Sequence, residues 1–239
     1  MNKKVPLYIQ AKQYLENEIA SMPPHGNQLE SEPVLTKKLK MSRGTIRKAL
    51  TELYREGLIS KWRGKGSFGH PAVARLPMRF DVDSNFRLLL EHSGYRVHLT
   101  RSAWRETFGT EEMELRIPGA RERSYVTFDQ DFFADDSLAI HTTVCIDMGF
   151  IKVYPEPGEY HDNINKFFLT HCKMKSEHVI SWQRAETNPL IASSFGLPPE
   201  TPLLCWQEVY YNVYDECMGY IKINFNPGIM DLSMLLHFS

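Results

Sequence analysis

At 239 residues, 42% hydrophobic and 24% charged, the chain is long enough for two domains of about 100–200 residues, and its composition excludes wholesale disorder and a fibrous architecture. No apolar run approaches the ~18 residues needed to span a bilayer, and the start Met1-Asn2-Lys3-Lys4-Val5-Pro6 lacks the apolar stretch of a secretory signal, so no membrane partner and a cytoplasmic location are expected. The net charge of −1 hides a segregation: residues 1–70 carry 13 Lys+Arg against 6 Asp+Glu, residues 71–239 carry 15 against 23. A basic block joined to an acidic one is the pattern of a nucleic-acid reader attached to a domain that avoids phosphate.

From Pro6, suited to a helical first turn, the chain predicts a helix with Leu7, Ala11, Tyr14, Leu15 and Ile19 on one face. Pro23, Pro24 and Gly26 force a loop. Ser31 is placed to cap a short second helix with Glu32 and Pro33 in its first turn and Val34, Leu35 and Leu39 as its apolar side. Ser42 is placed to cap a third, in which Ile46, Ala49, Leu50 and Leu53 keep the i, i+3, i+4, i+7 spacing and Gly57 supplies the stop. Burying that stripe turns Arg43, Gly44, Thr45, Arg47, Lys48 and Thr51 mostly outward. Two short helices with a tight turn, the second carrying cations near its start, make a helix-turn-helix whose second helix can enter the major groove, ~12 Å wide. Leu58–Trp62 then reads as a strand, Arg63-Gly64-Lys65-Gly66 as a turn and Ser67–Gly69 as the returning strand, a basic wing that carries Arg63 and Lys65 to phosphate or the minor groove.

These residues carry a resemblance. Pro6-Leu7-Tyr8 with Gln10, Leu29, Ser31-Glu32, Leu35, Ser42 through Leu50, Leu53, Glu56-Gly57-Leu58-Ile59 and Gly64-Lys65-Gly66-Ser67-Phe68 resemble the winged helix of GntR-type regulators over nearly all of residues 6–68. The resemblance implies operator contacts from Arg43, Thr45 and Arg47 on the recognition helix and from Gly66 with its neighbours on the wing; Ser42, Gly44, Lys48, Arg63 and Lys65 complete the candidate DNA-binding set. Two departures concern local geometry: Glu30 stands where the family usually has proline, and Lys40 where a glycine usually makes the turn.

Residues 71–84, with Pro71 and Pro77, read as a linker between a domain over 1–70 and another over 85–239. Asn85–His92 reads as a short helix. Strand-like runs follow at Tyr95–Arg105, Ser124–Phe133, Leu138–Asp147, His178–Glu186, Leu203–Tyr211 and Tyr220–Asn226, with helical pieces at Asn163–Cys172 and Pro189–Phe195: a sheet with helices to one side. Alternation sorts the polar groups. Val126, Phe128 and Phe132 take one face against Tyr125, Thr127, Asp129 and Asp131; Ile140, Val144 and Ile146 oppose His141, Thr143, Cys145 and Asp147. The four cysteines lie far apart and read as reduced core thiols. The histidines, including His161 beside Asp162 and His171 beside Cys172, show no metal-ligand spacing, and no cofactor is expected.

Ala192 through Leu204 resembles the short helix, Leu-Pro turn and strand entry of the ligand-sensing domain called UTRA in the HutC branch of the GntR family, and Phe86 through Gly94 resembles its opening helix and turn. The resemblance implies an α+β fold, mainly antiparallel and related to chorismate lyase, that forms homodimers and usually makes the protein a repressor. Sugar-phosphate-sensing members tend to carry arginines on the strand matching Ser124–Phe133 and a glutamate near Gly219 or Tyr220. Both are missing here, which disfavours a sugar phosphate, because its phosphate is normally held by charge-assisted hydrogen bonds. The candidate effector residues are Asp129, Asp131, His141 and Asp147, which would meet a cationic or polyhydroxyl small molecule, with Arg184, which could instead pair with a ligand carboxylate, and Tyr220. The competing readings are an architectural DNA-binding dimer without effector and an enzyme of chorismate-lyase-like fold.

Overall fold

The computed structural model describes residues 5–23, 25–82, 85–156 and 163–236; His161, Asp162 and linker positions 83–84 lie outside the described residues. The chain forms two compact units, one running to Ser84 and taking in the chain from Leu232, the other spanning Asn85–Asp231.

In the first unit, α1 (Leu7–Ser21) buries Ala11, Leu15 and Ile19. Leu7 and Tyr14, expected on that face, are exposed instead: Leu7 sits in the first turn, and the Tyr14 ring lies beneath the Lys38 ammonium at 5.7 Å. Pro6 is the residue before the helix rather than its first residue. α2 (Glu32–Leu39) packs Leu35 inward while Val34 is exposed. Ser31 occupies the cap position, yet its side chain makes no capping bond. The turn into α3 (Arg43–Arg55) puts Lys40 at φ +52°, the left-handed region that the family's glycine would enter without steric cost. Glu30, the other departure, takes the Lys38 ammonium at 2.8 Å.

α3 buries Ile46, Ala49, Leu50 and Leu53 against Ala11, Leu15, Leu35, Leu58 and Ile59, each large aliphatic side chain contributing about 1.5–3 kcal/mol. β1 (Ile59–Trp62) and β2 (Gly66–Gly69) form the antiparallel wing, with Gly64 at φ +76° and Gly66 at φ +105° in its turn. The expected linker is more ordered than a spacer. Pro71–Ala74 form α4, whose Val73 and Ala74 pack on the first core, and Met78–Phe80 pair with Ser233 through a parallel bridge and two backbone hydrogen bonds. The tail from Leu232, expected in the second domain, therefore belongs to the first unit.

The second unit is a seven-stranded antiparallel sheet, so the chain is α+β as expected. Its order is β3 (Val97–Arg101), β5 (Ser124–Ala134), β6 (Ser137–Asp147), β9 (Cys217–Phe225), β8 (Pro202–Tyr211) and β7 (His178–Thr187), with β4 (Arg105–Phe108) also pairing β5. The single strand expected over Tyr95–Arg105 is thus two strands, split where Ser102 turns its backbone and side chain to the Asp129 main chain. Helices flank both faces, not one. Phe86 of α5 (Phe86–His92) meets Phe132 and Phe225 edge-on at 5.9 and 5.5 Å, and Phe167 of α7 (Ile164–Phe167) lies 5.5 Å from Phe128. On the opposite face Met113 of α6 (Glu111–Glu114), an element with no expectation from sequence, packs with Tyr125, Cys145, Val209 and Tyr220. α8 (Pro189–Ser194) sets Ala192 against Leu203, beside Phe195. All four cysteines are free; burial pushes the Cys145 thiol up to about 11 and the Cys172 and Cys205 thiols up to about 12.

Candidate nucleic-acid interface and polar sheet face

The start of α3 stands open to solvent. Ser42 Oγ accepts from the Thr45 amide at 3.1 Å and lies 2.9 Å from Thr45 Oγ1, so both side chains are tied into the helix cap. Arg43, Gly44, Arg47 and Lys48 are exposed. Arg47 leans on Glu32 at 3.1 Å, an open pair with 69% of the arginine side chain exposed. Lys48 turns the other way, its ammonium 3.8 Å from the centre of the Tyr8 ring. On the wing, Arg63 and Lys65 are exposed, and the loop is braced from below: Gln28 Nε2 donates to the Lys65 carbonyl at 2.6 Å. A Cβ on Gly66 would stand 3.1 Å from that same amide nitrogen, which a small shift of the Gln28 side chain relieves, so it is the positive φ that favours glycine there. Trp62, 59% exposed beside the turn, is an aromatic that sequence reasoning passed over.

In the second unit the strand register brings the polar halves of several strands onto one face. Asp129 stands opposite Thr143, Asp131 opposite His141 and Tyr125 opposite Asp147; Tyr220 follows opposite Cys145, and Lys222 opposite Thr143 and Gln207. Charges on this face are already paired. Asp129 meets Arg105 at 3.1 Å and accepts from Thr143 at 2.8 Å; Asp131 meets His141 Nδ1 at 2.7 Å. Asp147 accepts from the Gly149 amide and faces Arg123 at 3.5 Å. Lys222 is held between Glu112 and Glu186, 2.9 Å from each, and Gln207 donates to Glu112 at 2.6 Å while accepting from Arg116. Burial pulls the Lys222 pKa down, but its bonds to Glu112 and Glu186 outweigh that and hold it above 10.5. Arg184 lies 4.0 Å from Glu112 and 3.8 Å from Glu186. Among these pairs sit buried neutral atoms with no hydrogen-bond partner: the Tyr220 and Tyr125 hydroxyls and Asn224 Oδ1. Leaving such an atom unsatisfied costs about 1–3 kcal/mol.

Comparison with known proteins fits this geometry. Residues 7–68 match the family described as bacterial regulatory proteins, gntR family. The chain carries a gntR-family DNA-binding domain. None of the curated proteins matches the chain. Among solved structures, the possible transcriptional regulator YydK from Bacillus subtilis is similar at TM-score 0.71 and 15% identity, over 98% of this chain and 100% of that one. PhnF from Mycobacterium smegmatis is similar at TM-score 0.56 and 14% identity, over 96% and 100%. The effector domain of PhnF alone matches at TM-score 0.55 and 10% identity, over 64% of this chain and 94% of its own. At these identities the likeness is one of fold, and it extends through both units. The family match covers α1, α2, α3 and the wing, the part of the chain that holds the helix-turn-helix.

Within the GntR-type domain, Arg43, Gly44 and Arg47 cluster at the open end of α3, while Arg63, Lys65 and Gly66 share the wing turn. Of the six candidate effector residues, Asp129, Asp131 and His141 form one group and Arg184 and Tyr220 belong with the Glu112–Lys222–Glu186 cluster. Asp147 is apart, six residues along β6 from His141, about 20 Å at strand spacing. Glu112, Gln207 and Lys222 carried no sequence signal as a group, because the pair Glu112–Lys222 is brought together from positions 110 residues apart. No helix among the described residues is long and apolar enough to cross a membrane.

Proposed function

We propose that the protein is a cytoplasmic, homodimeric repressor that binds a pseudo-palindromic operator and releases it when a small molecule occupies the polar sheet face. The open α3 start carries the first half of this reading: its guanidinium groups project beyond a buried apolar stripe, Arg47 held only by an open pair with Glu32, and can meet base edges and phosphates. In a dimer, two such helices spaced about 34–36 Å apart read two half-sites. An effector can release DNA only as far as it prefers the arrangement with the wrong spacing.

The orphaned Tyr220 hydroxyl and Asn224 carbonyl oxygen support an uncharged polyhydroxyl effector. A cationic ligand would have to displace Arg105 from Asp129 or His141 from Asp131, and a phosphate would have to take Lys222 from two carboxylates. A neutral hydroxyl-rich molecule satisfies the unpaired atoms and breaks none of these pairs. Asp129, Asp131, His141, Arg184 and Tyr220 then orient hydroxyls, and Asp147 holds the strand end. Thermal-shift melting against myo-inositol, sugar alcohols, their phosphates and diamines tests this. The neutral polyols should raise the melting temperature by about 5–10 °C at a concentration of ~100 Kd, and selective stabilisation by phosphates or diamines would overturn the ligand class. If no ligand changes either melting or DNA binding, the architectural reading replaces the repressor.

A further inference from the structure

The two sides of the seven-stranded sheet end differently. One is broken into β3 and β4, of five and four residues, with a turn between them. The other is β7, ten residues paired to β8 without a register shift, with no strand beyond it among the described residues. Natural edges are blunted by proline, lysine, bulges or brevity. β7 (HVISWQRAET) has neither proline nor lysine, and its Val179 and Ile180 are 46% and 43% exposed.

We infer that β7 is the surface through which two copies of this chain pair, antiparallel and edge to edge, joining their sheets. The inference rests on the dimeric reading above and adds the surface and register. A two-fold axis at Trp182 places His178 opposite Glu186 and Val179 opposite Ala185, each pair occurring twice because the contact is isologous. No two charges of the same sign face each other in this register. The same pairing carries the end beyond Thr187, where Leu190 is 82% exposed, toward the partner's hairpin end, where Val213 and Tyr214 are 66% and 74% exposed. An axis perpendicular to the sheet also keeps both polar faces on one side, so a ligand on the β7–β9 face lies beside the joint between copies.

Two variants of the full chain test this. Val179→Lys adds an edge lysine at an exposed position and acts twice per dimer; sedimentation should show dimerisation weakened about a hundredfold, with the folded chain's circular dichroism spectrum unchanged. Val179→Cys with Ala185→Cys should form a reducible covalent dimer on oxidation, which Val179→Cys alone should not, because residues 179 and 185 of one strand are about 20 Å apart and cannot bond within a chain. If the lysine variant fails to fold, crosslinking decides. A full-strength dimer in the lysine variant without crosslinking in the double variant would overturn the β7 surface and leave the dimeric reading standing; a monomeric wild-type chain, free and on operator-length DNA, would sink both.

Discussion

Three residues of the GntR-type domain carry separable costs. Arg47 is exposed and poised at α3, so Arg47→Ala should weaken binding to a duplex selected from a random pool by about tenfold to a hundredfold, the ~1–3 kcal/mol of a lost base-edge contact, while the sheet unit melts as before. Glu32 competes for that guanidinium at 3.1 Å. Exposed pairs are worth about 0.2–1 kcal/mol, so Glu32→Gln should tighten the same binding by about two- to fivefold, measurable by fluorescence anisotropy. Lys40 holds φ +52° without the freedom of glycine; Lys40→Gly should stabilise the first unit by about 1 kcal/mol in denaturant melts, and a loss of stability would mean that the lysine side chain contributes more than its backbone strain costs.

Among the elements, α3 and the wing were legible because their information is local: a four-residue apolar stripe, a capping serine, and glycines at the positions the turn requires. β5 and β6 were equally legible through alternation. α6 was not, since Glu-Glu-Met-Glu offers one apolar residue, Met113, and its place on the sheet is decided by distant Tyr125 and Tyr220. The pairing of Met78–Phe80 with Ser233 was invisible for the same reason. It matters to α3, because Arg79, paired to Asp81, donates to the Glu56 carbonyl at the end of that helix at 2.7 Å. Arg79→Ala should destabilise the first unit by about 2 kcal/mol, the cost of losing a charged hydrogen bond with its partner left behind. In the sheet, burial raises the pKa of Glu208 above the usual 4.5 despite the bond from the Tyr210 hydroxyl. A folded pKa above the unfolded one gives stability that is complete below the ordinary value and lost as pH rises through the raised one. The second unit should therefore lose stability as pH rises from the ordinary carboxylate value through the raised one, and Glu208→Gln should flatten that decline.

For the molecule as a whole, the charge division seen at the start keeps its physical meaning: the basic first unit carries α3 and the wing, and the acidic second one presents a polar face whose charges are mutually neutralised. The residues of that face could be sorted by strand parity alone, but which acid meets which base could not. Arg105, Arg123 and Lys222 reach their partners only through pairing between distant strands and with α6. This is why the acidic face, read alone, admitted a cation, and why the paired face favours a neutral ligand. Salt should discriminate between the units, weakening DNA binding by about a thousandfold or more between ~50 mM and ~200 mM, because phosphate contacts release counterions. Neutral-polyol binding should be nearly indifferent to it.

The most direct test is release of the selected duplex, followed by anisotropy, as the stabilising polyol is added to wild-type protein and to Tyr220→Phe. Wild-type protein should release DNA with rising polyol, and the variant, folded and binding DNA normally, should need about tenfold more polyol for the same release. Duplex binding that ignores the polyol in both proteins, although it raises their melting temperature, would contradict the account.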